Sequence, residues 1–510
     1  MALPLPACLG RKASYKIIVF GLLSFLVLSG FGYRTLHTQS PLEYLYPVDY
    51  TPPPAHIFDL GHPTFADIRQ YERALPQHRM PTFLMKNRPR YVYFPNEAWG
   101  TGWNNVFQEQ LLNTHLAYLS NRGYVFVDYI ARDHPPFPDT LPDGTRHMLH
   151  IPMNALTSGP TGGGSLGQGA DPKSVRAVSL EWWDAVCPSE QVVEVPVGET
   201  VQELNITDAS AGEERLVRWA GKLRSIEAEC VKVVGGSPFD YMFIGGDKVL
   251  SMWPSYGNSP TVKEYAWSAL VTRAISRNFA LLSSEALPPS LSPSLSRITT
   301  TPGAGNTSSP YPLAAFSPLR TSGPPIDGLM ALHVRRGDYA DHCKNLAGWG
   351  VDYNAWNTFG RPDMRATGRY PPLPDYLSVP GGVERYDASY RHCWPTAEQI
   401  VERVRAVRAV SESGESFPAQ YLRAVYIATN GEAEWVNALA ELLKRDGWET
   451  VSSSLDMGLA QDEFAVSQAV DMGVLTSAET FIGVGFSSLT SNVVQLRLGG
   501  GRHPDTNRFW

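Results

Sequence analysis

Between Leu329 and Asp338 the chain reads Leu-Met-Ala-Leu-His-Val-Arg-Arg-Gly-Asp. The apolar run Leu329 to Leu332 predicts a buried strand, and His333, Arg335, Arg336 and Asp338 crowd its end. Gly337 supplies a residue that lets the chain turn sharply. In an open α/β sheet, ligands sit just beyond the carboxyl ends of the strands, where this cluster falls. Two adjacent guanidiniums there suit a pyrophosphate, because the planar fork of arginine matches phosphate oxygens in pairs. The plain alternative is a surface turn held by an Arg–Asp ion pair.

A second stretch suits the same chemistry. Phe481 to Ser491 reads Phe-Ile-Gly-Val-Gly-Phe-Ser-Ser-Leu-Thr-Ser, a strand running into Gly483 and Gly485 before a hydroxyl-rich helix start. Ser487 or Ser488 can cap that helix, whose first amides favour an anion through their free N–H groups and the helix dipole. Asp471, on the preceding helical stretch, is a carboxylate that could accept from a guanine amide edge, as carboxylates accept from base amino groups. Read alone, Asp471 is more simply a solvated helix residue. No Asp-x-Asp pair of the kind that holds a divalent ion in nucleotide-sugar enzymes is found, so no metal site is expected.

The elements that must position these groups alternate. Arg90 to Pro95 reads as a strand, about Asn104 to Asn121 as a helix whose Leu111, Leu112, His115, Leu116 and Leu119 share a face, and Tyr124 to Ile130 as a second strand. Strand, helix and strand within about 40 residues make a βαβ unit with parallel strands. Thr157 to Gln168 reads as a flexible loop. Val178–Val186, Cys230–Val234 and Tyr241–Ile244 are further strand candidates, and Val262–Leu282 a helix. After a Ser/Pro/Thr-rich segment, residues 283–325, expected to be disordered, the alternation resumes. Following the strand at Leu329 comes a long irregular excursion from Tyr339 to Thr396. Then come a helix Ala397–Val410, a strand Ala424–Ala428, a helix Glu432–Arg445, a strand Glu449–Ser452, a helix Asp462–Leu475, a strand Thr480–Val484 and a helix Ser487–Leu498. The expected fold is α/β, with two Rossmann-like lobes, 89–282 and 326–510, and a cleft between them.

At 510 residues, with 43% hydrophobic content and a net charge of −7, the chain has a sizeable core and no basic surface for nucleic acid. Residues 1–16 carry Arg11, Lys12 and Lys16 ahead of an apolar run at 17–33. The run is expected to be a signal-anchor with a cytoplasmic tail and a lumenal body, a cleaved signal peptide being the alternative. Residues 34–88, rich in Pro, His and Tyr, are expected to form a stem. Of five cysteines, Cys8 lies before the run, leaving Cys187, Cys230, Cys343 and Cys393 in the lumen. Two disulfides are expected there, Cys187–Cys230 and Cys343–Cys393 being the simplest of three pairings. Asn205 and Asn306 head glycosylation sequons.

The His-Val-Arg-Arg-Gly-Asp at 333–338 resembles the His-x-Arg-Arg-x-Asp motif of α1,6-fucosyltransferase and the protein O-fucosyltransferases. The run from Val470-Asp471 through Phe481-Ile-Gly to Ser487-Ser488-Leu489-Thr490 is similar to the latter family's Phe-Ile-Gly-x-x-x-Ser-Ser-Phe-Thr. Gly102-Trp103-Asn104-Asn105, opening a helix after the first strand, resembles that family's Gly-rich loop. The resemblance covers about residues 90 to 510 and implies a GT-B fold, GDP-fucose as donor, inversion at the anomeric carbon, and neither metal nor other cofactor. It implies that Arg335 neutralises the β-phosphate, and that His333 and Asp338 help hold the nucleotide sugar; Arg336, the second guanidinium, is expected on the same diphosphate. Asp471 would face guanine, Ser487, Ser488 and Leu489 the pyrophosphate, and Asn105 the fucose. Leu489 stands where the family has an aromatic residue, and no acceptor-binding motif is found, leaving a glycoprotein or a glycan as acceptor. Glu97 and Glu109 flank the Asn loop, and either could serve as the general base.

Overall fold

A computed structural model describes residues 64–78, 88–97, 101–131, 149–170, 174–283, 285–292, 317–360, 383–414 and 420–510. The expected signal-anchor, Asn306, most of the stem and residues 293–316 of the Ser/Pro-rich segment lie outside these. Among the described residues no helix is long and apolar enough to cross a membrane.

Two five-stranded sheets, parallel throughout, organise the chain. The first comprises β1 (Tyr91–Tyr93), β2 (Gly123–Phe126), β3 (Val178–Ser179), β4 (Val192–Pro196) and β5 (Cys230–Val234), in the order β3-β2-β1-β5-β4. The second comprises β6 (Ile326–Val334), β7 (Ala424–Thr429), β8 (Thr450–Ser453), β9 (Ala478–Gly483) and β10 (Asn507–Phe509), in the order β8-β7-β6-β9-β10. In the second sheet the chain steps outward from β6 to β8, then returns to β6's other side as β9. That is a doubly wound order, and the reversal between β6 and β9 opens a crevice at their carboxyl ends. β6 is central and flanked on both faces, so Leu329 to Val334 is buried without the alternation of a half-exposed strand.

The helices that frame the sheets are α1 (Phe65–Arg73), α2 (Trp103–Leu119), α3 (Gly212–Ser225), α4 (Ala269–Arg277), α5 (Tyr339–Trp349), α6 (Val383–Cys393), α7 (Ala397–Ser413), α8 (Ala433–Arg445), α9 (Ser467–Ser477) and α10 (Ser488–Gly499), with shorter turns between. Thr64 caps α1 in a reciprocal box with Asp67, which gives a helix inside the stretch expected to be stem. α2 is buried along almost its whole length, not on one face only. It lies between the halves, so Leu111, Leu112 and Leu116 pack on one side while Asn104 meets the second half on another. The disulfides are Cys187–Cys230 and Cys343–Cys393, the pairing sequence order favours.

Several expected elements differ. Tyr241–Ile244 is helical (Tyr241–Gly245), because Asp240 accepts from the amides of Met242 and Phe243 and caps a turn. The strand at Val178 stops at Ser179, whose hydroxyl caps a helix over Leu180–Val186. Tyr124–Ile130 divides into β2 and a separate strand, Tyr129–Ala131, antiparallel to Leu149–Ile151. Val262–Leu282 breaks at the short strand Ala266–Trp267, which pairs with Leu319–Arg320 from the segment expected to be disordered. Asp462–Leu475 is two helices, Gln461–Ala465 and α9. The loop at Thr157–Gln168 is largely buried where Gly159 to Gly163 pack in close contact with neighbouring backbone. The excursion Tyr339–Thr396 is not irregular throughout, since it holds α5 and α6, stapled by Cys343–Cys393.

Among the described residues one hydrophobic cluster runs through both halves, and a second, smaller one surrounds the Cys187–Cys230 disulfide in the first. Across the join, the Trp267 indole donates to Thr476 Oγ1 at 2.8 Å and Tyr256 OH to Gln495 Oε1 at 2.8 Å. Arg273 donates to Glu463 at 2.6 Å with both side chains 1% exposed. Gly473 lets α4 approach α9 so closely that a Cβ there would lie 2.7 Å from Ile275.

Candidate active site

The carboxyl end of β6 and the start of α10 meet at the crevice between β6 and β9. His333 is 4% exposed, and its Nδ1 lies 2.8 Å from Thr490 Oγ1 in the first turn of α10. Burial, with the Arg335 cation nearby, pulls its pKa down to about 3, so the ring is neutral. His333 thus ties strand to helix. The Trp510 indole donates to the His333 carbonyl at 3.0 Å, closing the same junction from the chain's end.

The neighbouring arginines part company. Arg335 is about a third exposed, pairs with Asp338 at 3.2 Å, and lies 5.5 Å from the ring of Tyr339. Tyr339 OH in turn donates to the Phe486 carbonyl at 3.3 Å, one residue ahead of the Ser487 cap. Arg335 therefore stands within one tyrosine of the α10 start. Arg336, expected beside it on the ligand, is 5% exposed and turned inward. Its guanidinium lies 4.3 Å from the Trp394 ring and 4.2 Å from the Trp435 ring and donates to the Pro395 carbonyl. Neighbouring side chains on an extended segment leave it on opposite sides; Asn430 Oδ1 accepts from the Arg336 amide at 2.8 Å, and Gly337, at a left-handed φ of 64°, then turns the chain into α5. Asp338 is largely exposed and holds Arg335.

At α10, the Ser487 hydroxyl accepts from the Leu489 amide at 3.2 Å, so that amide already has a partner. Ser487, Ser488 and Leu489 are all half-buried at the crevice. Asn357, from the stretch between α5 and α6, donates to the carbonyls of Gly485 (2.8 Å) and Ser487 (3.2 Å). Gly485 is required by crowding, since a Cβ there would fall 2.3 Å from the Tyr353 ring. Asp471, on α9, accepts from Tyr426 OH at 2.6 Å and from Ser454 Oγ at 3.0 Å, beside the ends of β7 and β8. Burial raises its pKa to about 6 against those two donors.

The first half contributes α2. Gly102 precedes its first turn, accepting from the Asn105 amide at 3.0 Å. The Trp103 side chain does not face the crevice: it is buried and stacks on Phe107 at 5.0 Å. Asn104 crosses to the second half, accepting from Asn492 of α10 at 3.1 Å and donating to Gln468 of α9 at 3.3 Å. Asn105 is half-buried beside it.

Gly102 also lines a cavity of about 860 Å³ beyond the carboxyl ends of β1 and β2. Glu97 lies on its wall, 7% exposed, accepting from Tyr124 OH at 2.7 Å and Asn113 Nδ2 at 3.1 Å. Burial raises its pKa to about 7 despite these donors. Asp128 and its partners Arg69 and His150 line the same cavity. Glu109, the other expected base, is fully buried on α2 and accepts from the Ser237 hydroxyl, out of reach of the cavity. Asn205 is exposed at the end of the helix Val197–Glu203. Among the described residues no cluster of His, Cys, Asp and Glu is arranged to hold a metal ion.

Trp394, Trp435, Asn430, Tyr339 and Asn357 were not singled out from sequence. Asn430 was visible as the Thr-Asn-Gly ending of a buried strand; the others come from segments whose placement only the fold decides.

No family model and no curated protein matches the sequence. Among solved structures, POFUT1 in complex with GDP-fucose aligns at 14% identity over 83% of this chain and 99% of its own, with a TM-score of 0.43. POFUT1 in complex with GDP aligns at 13% over 82% and 98%, TM-score 0.42, and its apo form at 12% over 84% and 99%, TM-score 0.40. Likeness at this level fixes neither ligand nor chemistry.

Proposed function

We propose that the chain is an inverting glycosyltransferase of GT-B architecture that moves fucose from GDP-fucose to a hydroxyl of a protein or glycan, without a divalent ion or other cofactor. The observation that carries the reading is the approach of Arg335, across the Tyr339 ring, to the loop that leads into α10 beside the β6–β9 crevice. The donor is named from the His-Val-Arg-Arg-Gly-Asp and Phe-Ile-Gly…Ser-Ser motifs.

As the bond between the anomeric carbon and the β-phosphate oxygen breaks, negative charge builds on the departing GDP. A fixed guanidinium and the amides at a helix start, already oriented, lower the energy of that charge. Arg335 is the cation in this scheme and Ser487 and Ser488 frame the amides, while His333 holds the two elements at fixed spacing. Asp471 accepts from the guanine edge. Asn105 contacts the sugar. The acceptor enters from the cavity beside Gly102, its oxygen attacks the anomeric carbon from the face opposite GDP, and its proton passes to Glu97. A carboxylate whose pKa lies near 7 is suited to that task.

Both disulfides suit an oxidising lumen. We place the body there, in the endoplasmic reticulum or Golgi, anchored by residues 17–33, with glycans at Asn205 and Asn306. In the test, the purified chain is given GDP-fucose and a set of glycan and glycoprotein acceptors, and GDP release is followed. Arg335→Ala is expected to lower kcat by about 10²–10³. Wild-type turnover by that variant, or tighter binding of UDP than GDP in calorimetry, would remove the proposal.

A further inference from the structure

Arg336 sits in a socket. Trp394 follows Cys393 at the end of α6, and Trp435 lies in the first turn of α8. Their rings hold the guanidinium from 4.3 and 4.2 Å, the Pro395 carbonyl accepts from Nη2, and Nη1 is sealed from solvent. A ligand could reach Nη1 only by opening the socket. Desolvation strengthens a cation over an aromatic face, so a buried sandwich between two indoles is a stiff anchor. The anchored residue is joined directly to Arg335, and its amide is also held by Asn430. The socket walls come from separate elements, one stapled through Cys343–Cys393 to α5, the helix that begins at Tyr339 beside Arg335.

We propose that Trp394 and Trp435 are positioning residues for the donor site: by gripping Arg336 they fix the turn that aims Arg335 at the diphosphate. Arg336 acts through its neighbour and touches no substrate. The inference rests on the reading of the crevice as a GDP site and adds to it two residues and a division of labour between the adjacent arginines.

The test is a double-mutant cycle on the full chain, with GDP affinity read by calorimetry and folding by thermal melting. Trp394→Leu and Trp435→Leu are each expected to weaken GDP binding about tenfold, while in an Arg335→Ala background the same changes cost almost nothing. Arg336→Lys, which keeps the charge but loses the flat face, is expected to behave like the tryptophan variants. If a leucine variant fails to fold, Trp394→Phe and Trp435→Phe keep an aromatic wall and give a smaller loss of the same pattern. Full GDP affinity in folded tryptophan variants, or equal losses with and without Arg335, would overturn the inference while leaving the GDP site standing. A wild-type chain that binds no GDP would overturn both.

Discussion

Glu97 keeps its proton to higher pH than an ordinary carboxyl because the cavity wall takes it out of water, and Tyr124 and Asn113 only partly offset that loss. The folded state then binds a proton that the unfolded state has released, so this group's contribution to stability falls as pH rises from about 4.5 to about 7. Above pH 7 the cost is about 3 kcal/mol. Glu97→Gln is therefore expected to stabilise the protein at pH 8 in denaturant titrations and yet to abolish transfer. With the wild type, kcat should rise with pH through about 7, the value at which the base becomes free. A flat profile would assign the proton to another group. Asp471 titrates in the same sense at about 6, so GDP affinity should weaken as pH falls below 6 and the carboxylate stops accepting from the base. Asp471→Asn should give weak, pH-independent binding over that range. At this scale the sequence supplied residue types but not directions: Arg335 and Arg336 are indistinguishable in a string, and what separates their surroundings is the pair of indoles around Arg336 and the exposed carboxylate of Asp338 beside Arg335.

Among the elements, the start of α10 is set less by its own serines than by what crowds behind it. Tyr353 fills the space where a side chain at 485 would go and lies edge-on to Phe486 at 4.9 Å, while Asn357 ties down the carbonyls on either side. Gly485→Ala is expected to push the loop off the tyrosine ring and weaken GDP binding about tenfold, overpacking of this kind typically costing 1–3 kcal/mol. Tyr353→Leu, which removes the ring, should recover part of that affinity in the double variant. Losses that merely add, measured by calorimetry, would show that the glycine serves some other purpose. The strands and long helices of the second half were legible because a central parallel strand is continuously apolar and its helices carry one apolar face, as β6 and α8 do. α5 and α6 were hidden because Cys343–Cys393 and the neighbouring core stabilise them, and Asp240 turned an apparent strand into a helix by a cap that hydrophobic periodicity does not register.

The halves of the molecule are joined by polar contacts sunk in apolar packing. Asn104 bonds both α9 and α10. A charged link across the join is Glu463, which receives Arg273 at 2.6 Å and Arg277 as well, and also accepts from the Ala460 amide at 2.9 Å. Removing one partner of a buried pair leaves the other charge without compensation, which costs about 3–5 kcal/mol. Glu463→Gln keeps the shape and one acceptor but leaves two guanidiniums facing a neutral group across the join. Because the hydrophobic cluster is continuous through both halves, that loss should fall on the whole molecule. In urea, wild type and variant are each expected to unfold in one transition, with the variant's midpoint lower and tryptophan fluorescence and far-ultraviolet dichroism coinciding. Two separated transitions, only one of them shifted, would mean that each sheet carries its own stability.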